Sequence, residues 1–594
     1  MVKFMDVNEE IGYAIDYHEA TKHSEASLMT SRHYLDFDNK PIPFKIYREL
    51  PSISLPINFP TPEINALSCI SGMISQRSSE DMKGLASTTT SIDTSNTITA
   101  TSSTPNFNIE NLAEILFFSA GITRELKYPY GKYYMRAASA TGALYPIELY
   151  VICEDILPDL VAGVYHLSPA DFSLTQIRKG RYKGYLAAAA TANNQDIANS
   201  AITIIFTSFA WRNAWKYQAR SYRHWFWDSG VIAANLLATT QAMGLPTRIA
   251  MGFLDDNVSQ LLCLEDQREA AIAIAAIGRG RSEDTIAPRQ QQSEGEGDRI
   301  SHVPIPKIRA LSKRGEINYP EIWELNRASK LTSKEEIEEW INNAHRHHQL
   351  LSTTSHHSQE KGAKNDDNAI VIPNELEEGI QNSRSLKETI LWRGSSRRFA
   401  RTDISSSALK TILYSSTRGV PIDIFREGNS LIDIYFIANS VDGLTPGAYF
   451  YNRNTSATKL GTSIEKIREI ESSRNISGYL CLGQSLFSDA SVVFFLMTDL
   501  QSVLRSLGNR GYRASQFEAG IIAGKIYLAA YALGIGASGS TFFDDAVTEV
   551  FSPDASNKSA MIAVGVGVPA YKADPGKILP RRLTKEQLLT QDFT

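Results

Sequence analysis

The chain has 594 residues, of which 43% are hydrophobic and 21% charged, and a net charge of −5 at pH 7. That length is too great for one core and implies about three folding units of about 100–200 residues each. The mild acidity gives no general attraction to nucleic acid or to an anionic membrane surface, no apolar run approaches the ~18 residues of a membrane span, and Cys69, Cys153, Cys263 and Cys481 form no CxxC pair; a cytoplasmic protein with reduced thiols is expected.

In chain order, residues 1–86 form an N-terminal accessory segment, with acidic residues where a signal peptide would need its apolar centre. Residues 87–105, rich in Ser and Thr, read as a disordered linker. Residues 106–281 form a first unit: an amphipathic helix, a strand ending in the Gly-aromatic turn "GVYHL", the β-branched strand "AITIIFTS", a long helix and a last strand. Residues 282–385 read as a linker carrying the helix "SKEEIEEWINNAHRHHQLL", and residues 386–594 as a second unit. The second unit repeats the first. "WDSGVIAANLLATTQAMGLPTRIAMGFLDD" lies on "FEAGIIAGKIYLAAYALGIGASGSTFFDD", which sets Gly230 on Gly520, Gly244 on Gly534 and Asp255-Asp256 on Asp544-Asp545. The expected fold class is therefore α+β, two repeated units fused into an intramolecular pseudo-dimer. Such a chain is complete as a monomer, with a homodimer left open.

Four stretches carry candidate chemistry. "SATGALYP" is small and nearly uncharged, suited to close backbone approach to a flat ligand or simply to a tight turn. "WKYQARSYRHW" sets Lys216 and Tyr217 among Arg212, Arg220 and Arg223; as a surface helix its side chains would only snorkel, but a desolvated Lys or Tyr near positive charge would have a lowered pKa and could exchange a proton. "RGSSRRF" alternates Arg393, Ser395 and Arg397 toward one anion, a phosphate being the obvious guest, against the alternative of a solvated basic surface. "KILPRRL" adds Arg581 and Arg582 after the last strand. The small-residue loop and the Lys-Tyr pair belong to the first unit only, and both basic clusters to the second. The histidines at 345, 347, 348, 356 and 357 lack metal-ligand spacing, so no metal is expected. No dinucleotide fingerprint, P-loop or G-x-S-x-G is present.

Taken together, these stretches and the N-terminal "DYHEATKHSEASL" resemble the SagB-type flavoproteins of the nitroreductase fold, which include azoline dehydrogenases. The resemblance implies an α+β nitroreductase-like fold and FMN bound between the units. It places Arg393, Ser395, Arg397, Arg581 and Arg582 on the phosphate, and Ser139, Thr141, Gly142 and Ala143 beside the isoalloxazine. Where the family has a Pro-Ile-Gly turn at the flavin's polar edge, this chain has Gly539-Ser540-Thr541, which adds Ser540 and Thr541 to the cofactor-binding set. Lys216 and Tyr217 match the family's catalytic Lys-Tyr pair. The implied activity is oxidation of azoline rings to azoles in a modified peptide or related small molecule, beside a cyclodehydratase partner. The alternatives are an NAD(P)H-dependent flavin reductase or nitroreductase, and a degenerate flavin-fold scaffold that binds peptide. The division of the motifs implies one composite flavin site per chain.

Overall fold

The computed structural model describes residues 7–72, 107–278, 300–359, 370–371 and 383–593, apart from 130, 157, 191–194, 302, 427 and 454–461. The Ser/Thr-rich stretch at 87–105, and the side chains of His356 and His357, lie outside the described residues.

The first half supplies β1 (Ser52–Ser54), a hairpin of β2 (Ile122–Tyr128) and β3 (Gly131–Arg136), then β4 (Ile147–Cys153), β5 (Gly163–Ser168), β6 (Ser173–Lys179), β7 (Ile202–Phe209), β8 (Thr247–Ala250) and β9 (Glu269–Ile277). The second half supplies β10 (Ile370–Val371), β11 (Asp433–Ala438), β12 (Gly447–Asn452), β13 (Ser463–Glu469), β14 (Val492–Thr498), β15 (Gly536–Ser540) and β16 (Ser559–Gly567). Leaving the hairpin aside, each half folds its strands into one seven-stranded antiparallel sheet. The orders, β1-β6-β5-β4-β7-β9-β8 and β10-β13-β12-β11-β14-β16-β15, are the same path traced twice. β7, β9 and β14 are buried along their whole length, because helices and loops cover both faces of each sheet. One apolar core joins the inner faces of both sheets, and a separate cluster backs each sheet on its outer side.

Between the sheets run two central helices, Ser221–Ala242 and Leu500–Ala532. Almost every residue of the first is buried, as expected of a helix enclosed on all sides. The helices cross where the repeat aligns Gly230 with Gly520. A Cβ on Gly230 would lie 2.6 Å from the Gly520 carbonyl carbon, and one on Gly520 2.7 Å from the Phe226 oxygen. Only glycine permits this approach.

The same two-fold relation appears in ion pairs that exchange partners between the halves. Arg220 and Arg223 of the first half clamp Asp544 of the second, at 3.1 and 2.7 Å. Arg510 and Arg513 of the second half clamp Asp255 of the first, at 2.6 and 2.7 Å. Residue i meets j′ and i′ meets j, the signature of an isologous dimer interface. Burial alone would discourage ionisation of both aspartates, but the arginines hold each below the ordinary carboxylate range.

The repeat also extends beyond the boundaries drawn from sequence. Helix Gly12–Ala20 and helix Pro320–Ala328 take matching places. His23 N donates to Asp544 and Leu331 N to Asp255; Arg223 donates to the His18 carbonyl and Arg513 to that of Asn326; Lys22 pairs with Asp545 and Lys330 with Asp256. The N-terminal segment and the inter-unit segment are thus copies of one element, each bracing the opposite half.

Candidate active site

The first-half loop at 139–145 is held from below. Thr141 donates both its N–H and its hydroxyl to Asp228 Oδ1, each at 2.8 Å, and Asn213 Nδ2 lies 3.4 Å from Asp228 Oδ2. Asp228 is buried on the first central helix, and burial, opposed by the bonds from Thr141 and Asn213, pushes its pKa up to about 7. The loop carries backbone that side chains seldom adopt: φ is +64° at Gly142, +54° at Ala143 and +51° at Tyr145. At Gly142 a Cβ would also come within 2.8 Å of the Tyr217 hydroxyl. The loop and the Lys-Tyr stretch, 75 residues apart in sequence for Gly142 and Tyr217, therefore meet. Beneath the loop Ser139, Ala140, Asp228 and Arg136 line a cavity of about 10 Å³, at the lower limit for one water.

Lys216 and Tyr217 end helix Ala210–Tyr217, and the Lys216 ammonium sits 5.2 Å from the Tyr217 ring centre. Lys216 is half-buried and has no hydrogen-bond or ion-pair partner among the described residues. Burial, with the Arg397 guanidinium second, lowers its pKa. Arg397 belongs to the other half, so the basic cluster and the lysine face a common space. Tyr217 behaves differently from the sequence expectation: burial and the Asp228 carboxylate raise its pKa, and the phenol stays protonated. The neighbouring arginines do not act on it because each is committed elsewhere, Arg212 to Glu148 and the Tyr145 carbonyl, Arg220 and Arg223 to Asp544. His224, fully buried, meets the Tyr217 ring edge-on at 4.5 Å, and neither of its ring nitrogens has a partner among the described residues.

The predicted anion cluster is split by the structure. Ser395 is half-exposed without a hydrogen-bond partner among the described residues, and Arg397 is exposed, with its N–H 3.3 Å from the Tyr571 hydroxyl. Arg393 is instead buried, donating to the carbonyls of Ala137 and Arg136, so it ties the second half to the base of the small-residue loop. Arg124 on β2 takes a place beside it: its Nη2 donates to the carbonyls of Leu391 and Trp392, and its Nη1 would lie 3.5 Å from a Cβ on Gly394. Nothing in the sequence stretch around Arg124 marks it. Arg582 reaches the Thr123 carbonyl next to Arg124, at 3.3 Å. Arg581 turns away, toward the carbonyls of Asp171 and Leu55. Across the cleft, Ser540 donates to the Thr541 carbonyl and accepts from Gln484, and Thr541 Oγ1 is buried without a partner among the described residues.

A larger polar groove of about 610 Å³, lined by Lys22, Asp499, Arg505, Asp544 and Lys558, includes none of the candidate catalytic or cofactor-binding residues. Among the described residues no three His, Cys, Asp or Glu side chains gather as around a metal ion, and no helix is long and apolar enough to cross a membrane.

Two sheets of one order, packed through their central helices, agree with the comparison against known families. The nitroreductase family profile matches residues 101–279 and 432–568, more than half of the chain. The chain belongs to the nitroreductase family. This nitroreductase-family chain is 26% identical over 171 residues to a protein of Methanocaldococcus jannaschii named as a nitroreductase, 29% of this chain and 80% of that one. It is 26% identical over 180 residues to the trifolitoxin-processing protein TfxB of Rhizobium leguminosarum bv. trifolii, and 21% over 140 residues to the microcin B17-processing protein McbC of Escherichia coli. Those matches cover 30% and 23% of this chain, and about half of each relative, 48% and 52%. A crystal structure of an Anabaena variabilis protein, also named as a nitroreductase, covers 94% of this chain and 99% of its own with a TM-score of 0.65 at 22% identity. The two-unit fold is therefore shared along nearly the whole chain.

Proposed function

We propose that the chain is an FMN-dependent dehydrogenase that oxidises azoline rings to azoles in a modified peptide or related product, consuming what a cyclodehydratase makes. Membership of an oxidoreductase family and likeness to proteins that process trifolitoxin and microcin B17 support the reaction class. The residues present fit FMN: Thr541 Oγ1 and Arg124 Nε are buried without partners among the described residues, and Ser395, Arg397, Arg124 and Arg582 offer donors for a phosphate. When bound, FMN would accept a hydride from the substrate carbon and pass the electrons to oxygen or another acceptor.

One observation supports the reading: Lys216 is half-buried, has no hydrogen-bond or ion-pair partner among the described residues, and lies near enough to Arg397 of the other half for that guanidinium to add to the lowering of its pKa by burial. Lys216, with its pKa lowered by burial and Arg397, is the base that takes the proton leaving the azoline ring as the new double bond forms. Tyr217, kept protonated, has a hydroxyl hydrogen to offer a substrate and holds position against Gly142. Arg393 keeps the loop and the basic segment in register.

The test is direct. The purified protein should release FMN on acid treatment, and mass spectrometry across a panel of azoline peptides should reveal a loss of two hydrogens. Bleaching by NAD(P)H without peptide, and no such loss, would transfer the chain to the reductase reading that the Methanocaldococcus relative's name suggests. Protein that carries no flavin would leave only the scaffold reading.

A further inference from the structure

The two-fold relation predicts a second cleft, built from the second half's loop and the first half's sheet edge, and its contents can be named. The sheet register sets Ala250 on Ser540, since they pair with Ile274 and Ala563 at matching places on β9 and β16, and Met251 and Gly252 follow the strand end where Thr541 does in the other half. The repeat alignment sets Lys216 and Tyr217 on Ser506 and Leu507, and the backbone agrees: the next residues, Gln218 and Gly508, both have positive φ, +49° and +62°. The loop before β11 corresponds to the small-residue loop before β4. Its carboxylate brace is retained, since Glu518, two residues before Gly520 as Asp228 is before Gly230, accepts from Ser430 Oγ and from Leu431 N at 2.8 Å.

In this second cleft the loop does not stand back from the sheet. Ile422 forms a parallel bridge with Ile249 of β8, with Ile249 N donating to Pro421 and Asp423 N donating to Ile249, both at 2.8 Å. The Asp423 carboxylate then accepts the N–H groups of Met251, at 3.0 and 3.1 Å, and of Gly252, at 2.9 Å. Lys525, buried, fixes the start of the loop by donating to the carbonyls of Arg418 and Gly419 as well as Ile70. The helix that follows Pro320–Ala328, Lys334–Gln359, lies over the closure: Ile337 and Ile341 would each come within about 3.2 Å of a Cβ on Gly252, and Trp340 donates to the Leu507 carbonyl at 3.0 Å. The helix that takes the corresponding place after Gly12–Ala20, Glu25–Thr30, buries none of its residues.

We propose that the second cleft is a flavin site closed from within, in which Asp423 takes the two strand-end amides that a flavin would otherwise use and Ile337, Trp340 and Ile341 fill the substrate's approach. The proposal rests on the FMN reading of the first cleft only for the identity of the displaced ligand. It gives the one-flavin expectation a physical cause: the second site is occupied by the chain itself.

Amide hydrogen exchange on the whole protein, with and without FMN, tests it together with the flavin-to-chain ratio. The amides of Met251 and Gly252 should be protected alike in both states, those of Ser540 and Thr541 should gain protection on loading, and the ratio should be one. Asp423→Ala should speed exchange at Met251 and Gly252 at least tenfold while leaving Ser540 and Thr541 unchanged. Should that variant not fold, the loaded and unloaded wild type decide alone. A ratio of two, or protection at Met251 and Gly252 that rises with FMN, would overturn the closure. A ratio of zero would instead overturn the FMN reading, and the Asp423→Ala exchange would still decide whether the cleft is closed.

Discussion

Where the first half places Lys216 and Tyr217 over an open loop, the second half places Ser506 and Leu507 under Trp340, with Asp423 closing the loop onto β8. Elsewhere the halves correspond closely: two arginines at or near the start of the buried stretch of each central helix, one aspartate opposite, a bracing helix, and a carboxylate under each loop. Symmetry is retained where it holds the halves together and abandoned where a ligand would bind. An interface needs both of its reciprocal contacts for stability, whereas one composite cleft is enough for chemistry and a second, unfilled one would leave buried amides unpaired.

The sharpest way to break this comparison is at the lysine. Lys216→Ala should retain FMN and slow substrate-dependent flavin reduction by about 10²–10⁴-fold, the usual worth of a positioned base; Ser506→Ala at the matching position should leave the rate unchanged. Stopped-flow reduction with an azoline peptide measures both, and equal effects would remove the functional asymmetry. Next come the aspartates. Asp544→Ala and Asp255→Ala each leave two buried arginines uncompensated, at a cost of about 3–5 kcal/mol in denaturant unfolding. Near-equal losses would confirm that the two networks are equivalent, and a large difference would show that one half carries the interface.

Arg397→Ala should weaken FMN binding about tenfold or more, since a charge-assisted bond to phosphate is worth about 1.5–3 kcal/mol. Wild-type occupancy after dialysis would mark the cluster as solvated surface. The smallest effect concerns the loop braces. Burial raises the pKa of Asp228, from an ordinary 3.8, and of Glu518, from 4.5, to about 7 in each case. In that window the folded chain binds more protons than the unfolded one, so their contribution to stability is present at low pH and lost as pH rises toward 7. Asp228→Asn and Glu518→Gln should each flatten the fall in urea stability between pH 5 and 7, by up to one proton apiece. A flattening from only one of them would show that the braces differ in environment.

Much of the fold was legible because the repeat is local and strongly patterned. Gly230 and Gly520 aligned in sequence and then proved to touch, and the acidic residue two places before each was visible in the same alignment, though it read as part of the helix pattern and not as a loop brace. A motif that stays together keeps the exposure its sequence suggests, as in Ser395 and Arg397. The reading of the candidate site failed where a charge has a distant partner: Arg223 stands 321 residues from Asp544, so the sequence showed a basic neighbourhood for Tyr217 that the folded chain has already neutralised. Arg124, alone on its strand, carried no signal at all.

By itself, then, the sequence determined that two α+β units are fused, that their long helices carry a glycine at the same aligned position, and that the loop, the Lys-Tyr pair and the basic segments are divided between them, because periodicity, glycine placement and short motifs are properties of neighbouring residues. Tertiary structure alone decided that Arg393 is a tie between the halves, that Tyr217 remains protonated while Lys216 does not keep its ordinary pKa, that the N-terminal and inter-unit helices are copies of one brace, and that Asp423 fills the second cleft. Each of those depends on which group lies across an interface and how much water is left around it, and neither is fixed until the chain has folded.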